Sequence, residues 1–368
     1  MRMLFLYRGW NSGTNRAVLQ AWRQGTPDLE ISEHNVCPLN GTSRLKKLQA
    51  LPQAVRRGKL NVFWKGRGHF IEAAKRSAWC MNHIFHQVDS IQKKVHHDFI
   101  FCVGTVTPIP PKQPPCFIYT DLAIRSNLYY PDGQHHVELW QECLPYEQST
   151  LENATLIFTM SDHVTRSLIE HYRIPEKQIL RVNGGCNIPD MESNDPERYH
   201  RQNILFIGVD WERKGGPDLL TAFRHIKKRH PRATLTLVGS SPEIDEPGVE
   251  VVGKVSQAQT ARFLSRATIF CMPSLREPFG IAYLEAMRAG LPVVATNLGA
   301  APDFVLEGQT GFKVEPHDID TLADRIETLI CDPDTCRRMG LSGRELVESQ
   351  YTWQRTQQQM WQAIRQYL

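Results

Sequence analysis

The chain alternates between short apolar runs and longer stretches in which apolar residues recur at helical spacing. In the first half, continuous apolar runs predict strands at residues 3–7, 99–104, 116–121, 154–161 and 179–185. A strand that is apolar at every position is buried on both faces, which is typical of a parallel sheet covered by helices. Residues 1–190 therefore predict one α/β domain.

A second series of the same kind follows a polar stretch. Residues 190–202 contain Pro196 and show no apolar periodicity, so we predict a linker at 191–202. Apolar strands and amphipathic helices then alternate again over residues 203–350, with glycine turns between them, which predicts a second, Rossmann-like domain. The last segment, 351–368, is rich in aromatic and apolar residues and predicts a final helix.

Residues 274–296, SLREPFGIAYLEAMRAGLPVVAT, differ from both series. They predict a loop, a helix that begins near Phe279 and ends at Gly290, and a strand from Leu291 to Thr296. Gly290 supplies the left-handed backbone that commonly ends a helix. Since the residues of this helix are apolar or small on every side, we expect it to be buried.

Two carboxylates belong to this helix and its mouth. Glu285 lies inside the helix, where a buried carboxylate is costly unless something pairs with it. Glu277 lies just before the helix, where N–H groups and the positive end of the helix dipole converge on anions. We therefore expect a polar ligand or cationic partners. A core arginine for Glu285 and a capping role for Glu277 form the purely structural alternative.

The composition is that of an ordinary globular protein: of 368 residues, 41% are hydrophobic and 22% are charged. No stretch approaches the roughly 18 apolar residues of a membrane-spanning helix. The opening run MRMLFLYRGW is too short for a signal peptide. Nine cysteines without CxxC spacing indicate free thiols in a reducing compartment, so we expect a cytoplasmic protein.

Charge is distributed unevenly along the chain. Residues 1–97 hold 16 Lys/Arg and 5 Asp/Glu, whereas residues 98–190 hold 6 and 11. Within the first block, residues 43–76 interleave basic side chains with aromatic ones. This pattern fits either a solvated basic face or peripheral contact with an anionic membrane, at its inner face. Nucleic-acid binding is disfavoured because no recognised nucleic-acid-binding module accompanies the charge.

Two glycine-containing loops follow strands and precede helices, an arrangement that presents backbone N–H groups to phosphate. The loop GWNSG, which ends at Gly13, is a weak signal alone. The loop GVDWERKGGPD is stronger, because Arg213 and Lys214 meet the glycines that begin its helix and suit a diphosphate. Asp318-Ile-Asp320 has the spacing of a metal motif, but Asp318 precedes a helix and we expect it to cap that helix.

The segment EPFGIAYLE (277–285) resembles the E-x7-E motif of retaining glycosyltransferases of the GT-B fold, in the large family numbered four. AMRAGLPVVAT and the later GQTGF are similar to that family too. The resemblance implies an N-terminal acceptor-side domain and a C-terminal nucleotide-sugar-binding domain, both Rossmann-like, facing a central cleft, with the final helix packed back on the first. It also implies retaining transfer of a sugar from a nucleotide-diphosphate sugar to a hydroxyl acceptor (a glycan, a lipid or a small molecule), without a metal or other cofactor.

The resemblance further implies roles for particular residues. Glu277 would contact hydroxyls of the donor sugar and Glu285 the ribose, while Lys214 matches the lysine that ends the family's diphosphate loop. Val209 stands where the family has an arginine, so either Arg213 takes over that charge or the grip is incomplete. The candidate donor-binding residues are Gly13, Gly208, Phe279, Gly280, Ile281 and Glu285.

Asp121 departs from the family, which commonly has a histidine at the end of the corresponding strand. Beside a donor sugar, Asp121 is predicted to accept hydrogen bonds from hydroxyls and to place negative charge near the reacting carbon. Its alternatives are a base, a transient nucleophile or a solvated loop residue.

Other functions remain open for the whole chain. An epimerase or hydrolase of nucleotide sugars has the same fold and donor, and a non-catalytic sugar or nucleotide binder has the fold alone. The binder is disfavoured because Lys214, Glu277 and Glu285 are all present. A nicotinamide oxidoreductase is disfavoured because neither domain has GxGxxG after its first strand.

Overall fold

The computed structural model of the chain describes residues 1–9, 13–36, 75–109, 114–188 and 195–368. The predicted membrane-contacting segment 43–76 lies outside the described residues except for Lys75 and Arg76. Within the described ranges, no helix is long and apolar enough to cross a membrane. Eight of the cysteines lie in those ranges, and all eight are free thiols, as predicted.

Two compact units make up the chain: unit 1, Met1–Val182 with Gln357–Leu368, and unit 2, Asn183–Thr356. Each contains a six-stranded parallel sheet with helices, so the predicted α/β class is confirmed. The division falls after Val182, ahead of the linker predicted at 191–202. Residues 195–202 belong to unit 2. Tyr199 is buried there, and its hydroxyl donates to the Gly290 carbonyl at 2.9 Å.

The sheet of unit 1 is built largely from the predicted apolar runs. Its strands are β1 (Arg2–Tyr7), β2 (Glu30–Asn35), β3 (Phe99–Val103), β4 (Cys116–Thr120), β5 (Leu156–Thr159) and β6 (Ile179–Arg181). Their order is β2-β1-β3-β4-β5-β6, and every pair is parallel. β1, β3, β4 and β5 are buried at nearly every position. β2 is missing from the prediction because EISEHN, at the sheet edge, has no apolar run.

Helices cover both faces of this sheet. Among the described residues of unit 1 they are α1 (Thr14–Gly25), α2 (Ala78–Lys94), α3 (Gly133–Leu139), α4 (Leu144–Glu152) and α5 (Asp162–Tyr172). On one face, Met81 and Ile84 of α2 lie in a single apolar cluster with Ile100 of β3. On the other, Trp22 of α1 packs edge-on against Phe101, with ring centroids 5.2 Å apart.

The sheet of unit 2 repeats the parallel pattern. Its strands are β7 (Asn203–Ile207), β8 (Thr234–Val238), β9 (Val249–Gly253), β10 (Ile269–Met272), β11 (Val293–Thr296) and β12 (Gly311–Val314). Their order is β12-β11-β10-β7-β8-β9, with parallel pairing throughout. β11 starts at Val293 rather than at the predicted Leu291.

The remaining helices run from unit 2 to the end of the chain. They are α6 (Gly216–Arg229), α7 (Gln257–Arg266), α8 (Ile281–Arg288), α9 (Ala301–Phe304), α10 (Ile319–Cys331), α11 (Pro333–Gln350) and α12 (Trp353–Ile364). The residues of α12 from Gln357 onward belong to unit 1. There Trp361 packs edge-on against Trp22, with ring centroids 5.9 Å apart, which ties the end of the chain to the apolar face of α1.

Candidate active site

The strand order of unit 2 reverses between β7 and β10. β7 and β10 are neighbours, and the chain continues outward to β8 and β9 on one side and to β11 and β12 on the other. In open parallel sheets, ligands bind at the carboxyl ends of the strands where the order reverses in this way. The loops that follow β7 and β10 hold Arg213, Lys214 and Glu277, so the structure brings these three predicted residues together.

Glycines set the course of the loop after β7. A Cβ at Gly208 would lie 2.9 Å from the Phe206 ring and 3.0 Å from the Lys214 side chain, so glycine leaves the space in which Lys214 lies. Gly215 has a φ of 73° just before α6, and a Cβ there would overlap the carbonyl of Pro273. The absence of a side chain at Gly215 therefore lets the β7 loop approach the β10 loop closely.

Glu277 is the centre of a cluster of charges. Its carboxylate accepts a hydrogen bond from the Lys214 ammonium, and the Arg213 guanidinium lies 4.0 Å from the same oxygen. The side chains of Lys214 and Glu277 are only 14% and 11% exposed, so their attraction is weakened little by water. Arg213 is held in turn by Asp210, 3.1 Å from its Nε, and by the Arg276 carbonyl, 2.7 Å from its Nη1. Glu277 thus meets the cationic partners expected of it.

Hydrogen bonds join the two loops into one platform. The Ser274 hydroxyl lies 3.2 Å from the carbonyl oxygens of both Arg213 and Arg276, and the Leu275 N–H donates to the Arg213 carbonyl at 2.9 Å. Thr296, at the end of β11, donates to the carbonyl of Ser274. Because these acceptors are backbone carbonyls, the hydrogen bonds fix the backbone of both loops relative to the sheet. The charged side chains therefore extend from backbone that is held in place.

α8 begins beside Glu277. It starts at Ile281, two residues later than predicted, because Gly280 takes left-handed backbone with a φ of 84° immediately before it. A Cβ at Gly280 would overlap the ring of Tyr283 and lie 3.0 Å from the Cγ of Glu277. Tyr283 is anchored by its hydroxyl, which donates to the Met272 carbonyl at 2.7 Å. The glycine therefore permits the close approach of the helix N-terminus to the carboxylate.

One side of α8 is accessible, which corrects the prediction of a helix buried on every side. The partly exposed positions recur three to four residues apart and so share one face. They are Ile281, Ala282, Glu285 and Arg288. Apolar and small residues thus line an accessible face, and the pattern of apolar positions alone does not distinguish such a face from a buried one.

Glu285 lies on this accessible face, one turn into the helix. Burial of its carboxyl among protein atoms raises the pKa from 4.5 to about 7, because the charged form loses hydration. No hydrogen bond or ion pair joins its carboxylate to another described residue. The acceptor oxygens of Glu285 are therefore available to a ligand, whereas an oxygen of Glu277 is already engaged by Lys214.

Phe279 precedes α8 with its ring turned inward. The residue is 3% exposed and packs edge-on against Phe304, with ring centroids 6.1 Å apart. Gly184 lies on another side of the ring, and any Cβ there would collide with it. The ring of Phe279 is therefore a packing group, and the backbone of Phe279 is the part that remains for the predicted donor binding.

A buried arginine that the sequence places in the linker holds the other end of α8. Arg198 is 2% exposed, and its Nη2 donates to the carbonyls of Ala289 at 2.7 Å and Gly290 at 2.8 Å. Thr268 donates to the Arg198 carbonyl at 2.6 Å. A cation at the C-terminus stabilises a helix by satisfying its last carbonyls and its dipole. Nothing in the polar run PERYH signals this role, since burial is what reveals it.

Unit 1 holds the other two predicted site residues at the carboxyl edge of its own sheet. Gly13 has a φ of 77° and precedes α1, in the loop after β1. Asp121 follows β4 and is partly exposed. Burial, and to a lesser extent the charge of Asp121, raises the pKa of Tyr119. Since β1, β3 and β4 are parallel, the residues that follow β1 and β4 lie at the same edge of the sheet, with β3 between them. Gly13 and Asp121 are two such residues.

Asp318 caps α10, as predicted, because its carboxylate accepts a hydrogen bond from the Thr321 N–H at 3.1 Å. The spacing Asp318-Ile-Asp320 therefore reflects a helix start. In the part of the chain that the structure describes, no group of three or more His, Cys, Asp or Glu side chains is arranged to hold a metal ion.

The similarity to known protein families lies in the C-terminal region of the chain. Residues 201–332 match the family described as Glycosyl transferases group 1. Glycogen synthase of Mycobacterium tuberculosis is 31% identical over 162 residues, which are 41% of this chain and 39% of that protein. A GDP-mannose-dependent alpha-(1-6)-phosphatidylinositol monomannoside mannosyltransferase of the same organism is 32% identical over 250 residues, 60% of this chain and 65% of that protein. The chain thus matches less than two thirds of the length of either relative.

The whole chain also has a known fold. Sucrose-phosphate synthase from Thermosynechococcus elongatus superposes with a TM-score of 0.71 at 20% identity, covering 100% of this chain and 99% of that one. The family match includes the loops of Lys214 and Glu277 and the whole of α8. The resemblance predicted from the E-x7-E motif is confirmed: the chain has the two-domain α/β fold of the GT-B glycosyltransferases, and its residues 201–332 match the glycosyl transferases group 1 family.

Proposed function

We propose that the protein is a retaining glycosyltransferase that moves a sugar from a nucleotide-diphosphate sugar to a hydroxyl acceptor. The observation that carries this proposal is the contact of Lys214 with Glu277 where the strand order reverses, beside the start of α8. A cation, a carboxylate and a helix N-terminus suit a ligand that combines a diphosphate with sugar hydroxyls. Of the two relatives, one is named a glycogen synthase and the other a GDP-mannose-dependent mannosyltransferase, which supports the proposal.

The positive groups of the site would stabilise the departing diphosphate. When the bond between sugar and diphosphate breaks, negative charge develops on the phosphate oxygens. Lys214, Arg213 and the first N–H groups of α8, beginning at Ile281, supply positive potential that is already in place. The N–H of Gly208 donates to the Val238 carbonyl at 2.9 Å and is therefore not free to bind a phosphate. The contribution of Gly208 to the site is instead the absence of a side chain, which leaves room for Lys214.

The two carboxylates would bind different hydroxyls of the donor. Glu277 would accept hydrogen bonds from the sugar while Lys214 attracts the diphosphate. Each charge of the Lys214–Glu277 pair would then have a partner in the donor. Glu285 would accept hydrogen bonds from the ribose. Because hydroxyl donors stabilise an ionised carboxylate, donor binding should lower the pKa of Glu285 from about 7. The family resemblance implies that a phosphate oxygen of the leaving group takes the acceptor's proton, and that no metal is required.

Unit 1 would supply the acceptor side of the reaction and, through Gly13 and Asp121, would also contact the donor. Gly13 is proposed to approach the donor diphosphate with the backbone of the loop after β1. Asp121 is proposed to accept hydrogen bonds from sugar hydroxyls and to place negative charge near the reacting carbon. Both residues lie at the carboxyl edge of the sheet, where α/β proteins commonly bind ligands.

The experiment is a transfer assay with UDP-, GDP- and ADP-sugars and a panel of hydroxyl acceptors, in the presence and absence of EDTA. We expect one donor class to yield a glycosylated product that keeps the donor's anomeric configuration, as read by NMR, and EDTA to leave the rate unchanged. Lys214→Met should abolish most of the transfer. Lys228→Met removes an exposed lysine of α6 and should behave as the wild type.

Other outcomes would correct or reject the proposal. A product of inverted configuration would contradict retention. Release of nucleoside diphosphate without a glycosylated product would favour the nucleotide-sugar hydrolase. Failure of every nucleotide sugar to bind would contradict the assigned donor site.

We further propose a cytoplasmic location with peripheral membrane contact through residues 43–76. The support is the interleaving of basic and aromatic residues in that segment. The protein should sediment with anionic vesicles at low ionic strength and be released as salt rises. Absence of binding at low salt would leave a solvated basic face.

A further inference from the structure

A buried carboxylate in unit 1 has no place in the proposed chemistry. Glu147 lies in α4 and is wholly buried. It accepts a hydrogen bond from the Thr105 hydroxyl at 2.5 Å, and both of its oxygens lie 3.1 Å from the Ile124 N–H. The Tyr172 hydroxyl, at the end of α5, donates to it as well. Three separate parts of unit 1 therefore converge on one carboxylate.

Two of these parts directly follow strands at the carboxyl edge of the sheet. Thr105 follows β3, and Ile124 lies three residues after Asp121 in the segment that leaves β4. The Tyr172 hydroxyl also accepts the Arg125 N–H at 2.9 Å, and Arg125 Nη1 donates to the His171 carbonyl at 2.6 Å. The residues that follow Asp121 are thus held by Glu147 directly and through Tyr172.

The beginning of the same segment is fixed by a second set of hydrogen bonds. The Leu122 carbonyl accepts from the Thr120 hydroxyl at 2.7 Å, and the Thr105 hydroxyl lies 3.5 Å from the same oxygen. The Leu122 N–H donates back to the Thr120 hydroxyl at 3.2 Å. Asp121 therefore stands between two anchored residues, and its position depends on the network around Glu147.

An apolar side chain would fill the space of Glu147 without the cost of desolvating a carboxylate. Burial raises the pKa of Glu147 even though its hydrogen bonds oppose that shift. A carboxylate, unlike an apolar side chain, provides two acceptor oxygens with defined geometry. They accept at once from the Thr105 hydroxyl after β3, the Ile124 N–H after β4 and the Tyr172 hydroxyl of α5. The geometry thus favours a role in placing loops over a role in filling the core.

We propose that Glu147 is a positioning residue that fixes the segment 121–125, and with it Asp121, at the carboxyl edge of the unit 1 sheet. The proposal rests on the proposed function, because it assigns Asp121 to the reaction. Glu147 itself touches neither donor nor acceptor. Its loss should therefore slow turnover far more than it weakens donor binding, because most of the proposed donor-binding residues lie in unit 2.

The first test is amide hydrogen exchange in the segment 121–130, which needs no activity. Glu147→Gln keeps the volume but turns one acceptor into a donor. The hydroxyls of Thr105 and Tyr172 can rotate to accommodate it, whereas the Ile124 N–H cannot. We expect exchange of the Ile124 and Arg125 amides to accelerate at least about tenfold. Glu152→Gln, an exposed carboxylate of the same helix that accepts from Gln148 at 2.7 Å, is the matched control and should leave exchange unchanged.

The second test separates positioning from stability. At a temperature well below unfolding, Glu147→Gln should lower kcat at least about tenfold while the dissociation constant of the nucleotide sugar changes less than about twofold. Val88→Ala, in the apolar core of unit 1, lowers stability without touching this network and should keep the wild-type kcat. If Glu147→Gln does not fold, Tyr172→Phe removes one donor and keeps the carboxylate, with faster exchange at Arg125 and a smaller loss of kcat expected.

The outcomes distinguish this proposal from the proposed function. Wild-type exchange and wild-type kcat in the folded variant would overturn the role of Glu147. An equal loss of kcat in Val88→Ala would overturn it too, because general destabilisation would then explain the effect. If the wild-type protein transfers no sugar, the proposed function fails, and the exchange comparison still decides whether Glu147 fixes the segment.

Discussion

Two glutamates inside helices, Glu147 in unit 1 and Glu285 in unit 2, show opposite treatment of a buried carboxylate. Burial raises the pKa of both. The oxygens of Glu147 accept hydrogen bonds from Thr105, Ile124 and Tyr172. Those of Glu285 accept none from the residues that the structure describes.

This difference separates a carboxylate whose acceptors are used within the fold from one whose acceptors meet no described donor and are proposed to bind a ligand. A buried group whose acceptors are all used adds rigidity, and removing it leaves donors unpaired. A buried group without partners lowers the stability of the protein alone, and a ligand with hydroxyl donors can recover that cost. Glu277 is intermediate between these two cases. Its carboxylate is paired with Lys214, and a diphosphate that attracted Lys214 would weaken that pairing.

The largest effect should come from Lys214→Met. Loss of this cation removes the main positive charge proposed to stabilise the departing diphosphate, and it leaves Glu277 with Arg213 at 4.0 Å. We expect kcat/KM to fall by about 1,000-fold, which is roughly 4 kcal/mol of transition-state stabilisation. The measurement is steady-state transfer from the preferred donor, with circular dichroism as the check on folding. Activity within tenfold of the wild type would place the diphosphate elsewhere.

Glu277→Gln should be the next largest. The amide keeps the shape but cannot balance the charge of Lys214, and it changes which sugar hydroxyls can donate to it. We expect kcat to fall by about 100-fold with a smaller change in donor binding. Equal, wild-type-like kinetics for Glu277→Gln and Glu285→Gln would remove the assignment of both glutamates.

Glu285→Gln should stabilise the ligand-free protein and weaken its binding of donor. The folded pKa of about 7 lies above the unfolded value of 4.5, so ionisation favours unfolding. The resulting loss of stability begins as pH rises through about 4.5 and is complete above about 7. Glutamine avoids it, and we expect about 3 kcal/mol more stability than the wild type at pH 8 and little difference at pH 4.5.

Denaturant unfolding at the two pH values measures this effect of Glu285→Gln. Glu250→Gln, at an exposed position of β9, serves as the control and should change stability little at either pH. A pH-independent effect of Glu285→Gln would mean that Glu285 is not the buried, unpaired acid described above.

Asp121→Asn should have the smallest of these effects on turnover. It removes charge near the reacting carbon but keeps shape and hydrogen bonding, so we expect at least about a tenfold loss of kcat, or roughly 1.4 kcal/mol. Folding stability should change little, because Asp121 is partly exposed. Asp28→Asn, at an exposed loop position of unit 1, is the matched control. Unchanged turnover would return Asp121 to the solvated loop.

The sequence predicted the parts of the fold that depend on local pattern. Apolar runs marked most strands of both sheets, because a strand covered on both faces must be apolar throughout. β2 escaped because EISEHN is polar. The accessible face of α8 was not predicted because an accessible surface of small and apolar residues has the same pattern as a buried one. The contact between Glu277 and Lys214 joins two residues that the sequence singled out, because proline, glycine and charge combine around them in a recognisable order.

Two buried charged residues that the sequence did not single out depend on contacts between distant positions. Arg198 reaches the end of α8 across 91 residues, and nothing in its own neighbourhood marks it as buried. Glu147 binds Thr105 and Tyr172 at separations of 42 and 25 residues. In the run LPYEQSTLE it has the appearance of an ordinary solvated glutamate. Whether a carboxylate is satisfied or left open is decided by such distant donors, so it cannot be read from local sequence.

In the proposed complex, the nucleotide sugar donates hydrogen bonds to Glu285, and we refer to this as the Glu285 claim. Its most direct test is calorimetric titration of the preferred nucleotide sugar at pH 7, in buffers of different ionisation enthalpy. Since the ligand-free pKa is about 7, binding that lowers it should release about half a proton from the wild type. The same titration of Glu285→Gln should show weaker binding with that release missing. Tight binding with the same proton release in both proteins would contradict the claim.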